Sequence, residues 1–417
     1  MHYDVGAVRS LFPALAEGAA HFDGPGGTQT PRCVADAVAG AMTAAVANRG
    51  TVTVAERRAE TIVAGARSAL GDLLGADPAG VVLGRSMTAL TFDLARTLSR
   101  GWAPGDEVVV SSLDHDANIR PWVIAAARAG ATLRWAHVDP ATGELDPQAV
   151  AAVLGPRTRL VAVTGASNLI GTRPEVRAIA DLAHEVGALV HVDGVHLTAH
   201  APVDVTALGA DVFACSPYKF CGPHLGVQAA RPDLLEQLSP DKLLPSSDRV
   251  PERFELGTLP YELLAGTEAA VDFLAGLSGA GGGAAGGTGQ PGTGVPDRRA
   301  ALLASLTALE AHEDRLRQRL EDGLAQVDGL VLHSRARHRT PTLLFTVDGV
   351  AAADLSRSLA EAGVNAPAGS FYALEASRRL GLGDGGGVRA GLAPYTDDGD
   401  VDRLLAATQE AVSRLRR

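Results

Sequence analysis

Between residue 22 and about residue 277, short β-rich runs alternate with longer helical patterns, and that alternation leaves few architectures open. Strand-like runs stand at 81–83, 107–111, 132–138, 160–164, 188–192, 212–215 and 226–229. Helical stretches lie between them at 88–98, 121–129, 147–154 and 174–186, the last two opened by proline, which a helix accommodates in its first turn. Strands alternating with helices predict an α/β fold: a mostly parallel sheet sandwiched by helices. Runs such as Leu160-Val161-Ala162-Val163 fit this, because a parallel strand is covered on both faces. Ligands of such sheets sit beyond the carboxyl ends of the strands, so chemistry is sought in the residues that follow each strand.

A glycine-rich stretch at 278–296 breaks the pattern and reads as a flexible linker. Beyond it come a long charged helix over about 297–327, strands near 331–333 and 342–347, a helix near 353–362 and a last helix from about residue 400. The expected division is a large unit at 21–277, the linker, and a smaller α+β unit at 297–417 joined by residues 1–20.

The formal net charge is −11, which excludes the basic footprint of a nucleic-acid binder. Three cysteines, Cys33, Cys215 and Cys221, cannot build a disulfide framework, so a reducing cytoplasm is the expected home. No stretch supplies about 18 uninterrupted apolar residues, and the first residues lack a basic segment followed by an apolar one. Neither membrane contact nor export is expected.

The densest polar cluster is His-Val-Asp-Gly-Val-His at 191–196, at the end of an apolar run. Asp193 emerging into a glycine turn is either a turn-former or an acid held at the crevice. His191, Asp193, His196 and His200 also offer metal-type donors, which would suit a metal-dependent hydrolase, although no second donor cluster completes a site. After the next strand comes Ser-Pro-Tyr-Lys-Phe-Cys-Gly at 216–222. Lysine is rarely set among such apolar neighbours without a partner or a task, and burial frees its amine for Schiff-base chemistry. A Schiff-base lysine plus an acid suited to a pyridinium nitrogen is the pair that pyridoxal phosphate requires. Gly-Arg-Ser-Met-Thr at 84–88 follows a strand and opens a helix, where N–H groups and hydroxyls gather around an anion. Asp-His-Asp-Ala-Asn at 114–118 ends another strand and offers His115 as a flat ring.

Together these motifs resemble the class V aminotransferase group of fold-type I pyridoxal-phosphate enzymes, and within it the cysteine desulfurase-like branch. The resemblance runs from Phe-Asp-Gly-Pro-Gly-Gly-Thr at 22–28 to the C-terminal helix. It implies pyridoxal 5′-phosphate as cofactor, Lys219 as the Schiff-base lysine, Asp193 as the pyridinium partner and His115 as the ring-stacking histidine. It further implies that Asn168 lies beside cofactor or substrate and His196 near the ring hydroxyl. Ser86, Met87, Thr88 and Ser216 resemble phosphate ligands. Thr258, in Phe-Glu-Leu-Gly-Thr, resembles the residue that reaches the phosphate of a partner subunit, which implies a homodimer with the active site at the interface. Arg389, in Val-Arg-Ala-Gly-Leu, resembles the clamp for the carboxylate of an amino-acid substrate.

One departure stands out. Desulfurases of this branch carry a cysteine nucleophile on a small-domain loop, and here local alignment puts Tyr372 in its place, where with Ser370 it would orient a leaving group or line the crevice. The resemblance then implies carbon–sulfur cleavage by elimination from an S-substituted cysteine, without a persulfide. Transamination, epimerisation and a binding module that has lost turnover remain open on the same residues.

Overall fold

The computed structural model describes residues 3–279 and 297–417, so the expected linker lies outside the described residues except for Ser278 and Gly279. Seven strands form the central sheet in the order Val81–Gly84, Gly226–Ala230, Val212–Cys215, Leu189–Asp193, Thr158–Thr164, Glu107–Ser111, Thr132–Ala136. All run in one direction except Gly226–Ala230, which is antiparallel to both neighbours. The expected α/β sandwich is thus the observed architecture. The strand expected over 132–138 stops at Ala136, and the helix expected from Pro174 begins at Val176, with Pro174 in the approach to its first turn.

Three helices not singled out from sequence pack beside one another: Arg32–Thr43, Val54–Leu74 and Tyr261–Ala275. The second carries a full capping box, in which the Thr53 hydroxyl accepts from the Glu56 N–H and the Glu56 carboxylate accepts from the Thr53 N–H. It ends at Gly75 with φ 62°, the left-handed cap that glycine adopts without a Cβ clash.

The smaller sheet is antiparallel, in the order Ala368–Gly369, Gly387–Gly391, Thr342–Val347, Leu330–Leu332. The long helix Arg298–Leu324 strings the two cores together. Leu302, Leu306 and Leu309 sit in the core of the large sheet, whereas Leu316, Leu320 and Leu324 sit in the core of the small one. Their spacing of three, four and seven residues keeps them on one helical stripe. The N-terminal segment also serves both cores. Tyr3, Val8 and Phe12 pack into the first, while Ala20 and Phe22 pack into the second and Ala20–His21 pairs with Val364–Asn365.

Five carboxyl ends of the large sheet converge, and two local features fix their geometry. Gly226 lies against the turn at Ser86, where an added Cβ would come within 2.1 Å of the Ser86 carbonyl carbon. Glu255 is buried and accepts from Arg67 Nη2 at 2.6 Å and from the Leu83 N–H at 3.0 Å, tying the segment before Thr258 to the first strand of the sheet. Burial pushes the Glu255 carboxyl up, and Arg67 opposes that shift. Removing Arg67 strands a buried carboxylate, so Arg67→Ala is expected to destabilise the protein by about 3 kcal/mol. Urea unfolding measures this, and a loss below about 0.5 kcal/mol, the range of an ordinary surface change, would show the pair to be dispensable.

Candidate active site

A cavity of about 640 Å³ opens where those strand ends meet the small sheet. Its lining brings together Ser86, Met87 and Thr88 from the start of helix Met87–Leu98, His115 after Glu107–Ser111, and Asn168 after Thr158–Thr164. Asp193 and His196 follow from the end of Leu189–Asp193, Ser216 and Lys219 from the end of Val212–Cys215, Arg389 from the strand Gly387–Gly391 of the smaller sheet, and Tyr372 from the loop after Ala368–Gly369. Of the residues singled out in the sequence, Thr258, which is exposed, does not reach this cavity, and neither do Ser370, His191 and His200.

Lys219 Nζ donates to the carbonyls of Pro25 at 2.5 Å and Gly26 at 3.0 Å and lies 4.5 Å from the centre of the Tyr218 ring. Burial, helped by the positive charge of Arg389, lowers its pKa to about 8, against the pull of Asp23 and Asp193. Part of the amine is therefore neutral at physiological pH. Asp193 accepts from the Val195 N–H at 3.0 Å, and its own carbonyl accepts from the Gly165 N–H at 2.7 Å. Burial raises its carboxyl to about 6, while the Val195 N–H and Lys219 pull it down, so it is mostly ionised at neutral pH.

His115 accepts from the Ala117 N–H through Nδ1 at 3.0 Å, which puts the ring proton of its neutral form on Nε2. Burial and the charges of Lys219 and Arg389 depress it to about 4, so the ring is uncharged. Beneath this turn lies a polar chain that sequence reasoning passed over. Asp114 accepts from Asn118 Nδ2 at 2.6 Å and pairs with the Ser111 hydroxyl, and Asn118 Oδ1 accepts from Trp122 Nε1 at 3.1 Å. Burial raises Asp114 to about 8 despite the Ser111 and Asn118 hydrogen bonds, and Asp193 adds to the rise. Residue 114 thus enters neutral pH as a carboxylic acid, and the charge near the cavity floor stays on Asp193.

Arg389 is almost wholly buried. Its Nη2 meets Asp23 Oδ1 at 2.6 Å, its Nη1 donates to the Asn168 carbonyl at 3.0 Å, and its face lies 3.7 Å from the centre of the Phe371 ring. Asn168 Nδ2 in turn donates to the Phe371 carbonyl at 2.9 Å. Phe371 and Tyr372 both hold left-handed backbone angles, φ 51° and 58°. Each costs about 1–3 kcal/mol in a residue with a side chain and persists because neighbours over-determine it. Here the Asn168 amide and the Asp116 N–H, which donates to the Tyr372 carbonyl at 2.8 Å, pin the loop. Tyr372 itself is 75% exposed at the rim.

The metal reading does not survive this geometry. His191 packs edge-on to Trp122 with both ring nitrogens unpartnered and lies outside the cavity lining. His196 Nε2 contacts the Thr342 and Thr340 hydroxyls at 3.0 and 2.9 Å, and His200 Nδ1 meets Glu313 at 2.9 Å. The donors turn to separate partners, and among the described residues no three such side chains gather to hold an ion.

The site fits a phosphorylated pyridine aldehyde. An amine with depressed pKa and an ionised acid share the cavity with first-turn N–H groups at Met87 and Thr88, which have no carbonyl one turn back to bond. Two cavity residues also keep buried polar atoms without partners, Asn168 Oδ1 and Arg389 Nε. The family model for class-V aminotransferases matches residues 20–280 and 300–404. The chain belongs to the class-V aminotransferase family. As such it is a pyridoxal-phosphate-dependent enzyme. Among class-V relatives, it is 35% identical to the uncharacterized protein MT3887 of Mycobacterium tuberculosis over 98% of this chain and 99% of that one. A probable cysteine desulfurase of Pseudomonas aeruginosa is 33% identical over 98% of each chain. The crystal structure of the Escherichia coli cysteine desulfurase CsdA superposes with a TM-score of 0.85 at 27% identity, covering 99% of this chain and 100% of that one.

The chain contains only two lysines, Lys219 and Lys242, which makes the amine easy to follow. Only the neutral amine reacts with an acylating or arylating reagent, so labelling of cofactor-free Lys219, read by peptide mapping, is expected to rise with pH through a midpoint near 8. A midpoint close to the ordinary lysine value of about 10.4 would contradict the burial argument.

Proposed function

We propose that this enzyme cleaves the carbon–sulfur bond of an S-substituted cysteine or related thiol conjugate by elimination. The observation that carries the reading is a set of side chains: Lys219, Asp193 and Arg389 share one cavity that no cysteine lines. Cys33 is exposed elsewhere, and Cys215 and Cys221 are buried outside the lining. Burial pushes the Cys221 thiol up to about 12 and Cys215 higher still, so neither is a thiolate at neutral pH. Sulfur transfer to the enzyme's own cysteine thus lacks its nucleophile, while the residues for chemistry at the substrate α-carbon are in place.

When bound, pyridoxal 5′-phosphate supplies an electron sink for the pair released at the α-carbon. Ser86, Met87, Thr88 and Ser216 would hold its phosphate, and Asp193 would keep a proton on its ring nitrogen. His115, neutral and fixed by Ala117, offers a flat uncharged face. Asn168 and His196 would flank the ring, His196 held by the Thr340 and Thr342 hydroxyls. Arg389 would take the substrate carboxylate, and Lys219 would take the α-proton, for which a pKa near 8 is matched to neutral pH. Tyr372, at the rim where the family's nucleophile would stand, would shield the departing thiolate from water.

Thr258, exposed on its own chain, is assigned to the phosphate site of a second copy, so the enzyme acts as a homodimer. Thr258→Ala is expected to weaken cofactor affinity about tenfold, the worth of one or two hydrogen bonds, while the protein still sediments as a dimer. Unchanged affinity, or a monomeric wild type, would count against this assignment.

Product analysis with S-benzyl-cysteine tests the reaction. One water is consumed, and benzyl thiol, pyruvate and ammonium are expected in equal amounts, with Lys219→Ala inactive. Conversion of the cofactor to its amine form, reversed by a 2-oxo acid, would instead establish transamination. Loss of optical activity without thiol release would establish epimerisation.

A further inference from the structure

The turn Asp23–Gly27 engages the two most buried cations of the cavity, Lys219 and Arg389. Its backbone carbonyls at Pro25 and Gly26 accept from Lys219, and its one acidic side chain, Asp23, closes on Arg389 at 2.6 Å. Gly26 makes the second contact possible. A Cβ there would stand 2.3 Å from Asp23 Oδ2, so the carboxylate rests directly on the glycine backbone as it reaches the guanidinium. Asp23 itself is partly exposed at the mouth of the cavity, but its partner is buried, and among the described residues Asp23 is the only carboxylate paired with Arg389.

The consequence concerns substrate choice. With Nη2 held by Asp23 and Nη1 by the Asn168 carbonyl, the buried Nε is left without a partner. An arriving carboxylate must either displace Asp23 or accept a second negative charge beside it, and the two like charges repel while competing for one buried guanidinium. Its grip is correspondingly loosened. Meanwhile the same cavity is lined by Phe92, Val195, Phe371 and Tyr372, which reward an apolar group.

We infer that Asp23 is a specificity-determining residue: it holds Arg389 in the free enzyme, weakens the hold on the substrate carboxylate and so transfers selection to an apolar sulfur substituent. Small amino acids, cysteine among them, then bind poorly, and bulky apolar S-conjugates are preferred. This rests on the functional reading above, in which Arg389 receives the carboxylate.

Binding of non-reacting ligands separates the two claims. Calorimetric titration of the cofactor-loaded enzyme with 3-phenylpropionate and 3-phenylpropionamide compares a carboxylate with its neutral counterpart, and neither ligand carries an amine or a leaving group. The wild type is expected to prefer the acid by no more than about threefold. Asp23→Asn, which keeps shape and removes charge, is expected to bind the acid at least tenfold tighter than the wild type and to leave the amide unchanged. Gly26→Ala keeps the charge and pushes it off Arg389, so it is expected to shift affinity in the same direction, and thermal unfolding of both variants confirms that they fold. Weaker or unchanged acid binding in both variants would overturn the inference. Equal binding of acid and amide in all three proteins would overturn it together with the role given to Arg389, whereas failure of S-benzyl-cysteine to release thiol would strike only the proposed reaction.

Discussion

Two positive charges taken out of water in one cavity set the terms for the rest of this structure. Lys219 and Arg389 come from different sheets, and each must find compensation that does not abolish its chemistry. For Lys219 the compensation is deliberately weak: two carbonyls and distant carboxylates, which leave its amine at about 8. For Arg389 it is strong, because a guanidinium stays charged under any condition the protein meets and a buried one without an anion would be costly. One short turn supplies both, and its glycines give it the room to approach.

The same economy governs the acids. Asp193 lies close enough to Asp114 for its charge to disfavour ionisation there, and burial raises both. Asp114 keeps its proton inside a network of Ser111, Asn118 and Trp122, so that Asp193 is the acid that carries charge at neutral pH. Two carboxylates in one neighbourhood thereby take separate roles, a structural one and a chemical one, as environments pull their proton affinities apart.

Much of the fold was legible because buried parallel strands cannot hide. Their apolar runs, each followed by a polar turn, located the carboxyl ends of all seven strands of the large sheet within two residues, and the turns named most of the cavity lining. The helices Arg32–Thr43 and Tyr261–Ala275 were harder to see, having proline N-caps without side-chain capping bonds, whereas Val54–Leu74 announced itself through Thr53 and Glu56 and was passed over. The strand Gly387–Gly391 read as a motif around Arg389 and not as a strand, since its two glycines and central arginine break the apolar alternation. His191 invited a metal assignment that its neighbours in sequence supported and its packing against Trp122 removed.

Local chemistry, then, was written in the chain: an acid and a lysine at successive strand ends, an anion-ready helix start, an arginine in a small-residue strand, and no cysteine where a persulfide would form. What the chain could not state was who faces whom. Asp23 and Arg389 are separated by 366 positions, and nothing in either residue's surroundings announces the other. Nor does sequence reveal that burial raises the proton affinity of Asp114 and lowers that of Lys219, because both follow from how much water the assembled fold excludes. Residue type and spacing determine which groups are available, but desolvation and pairing belong to the closed cavity, and only tertiary packing makes one.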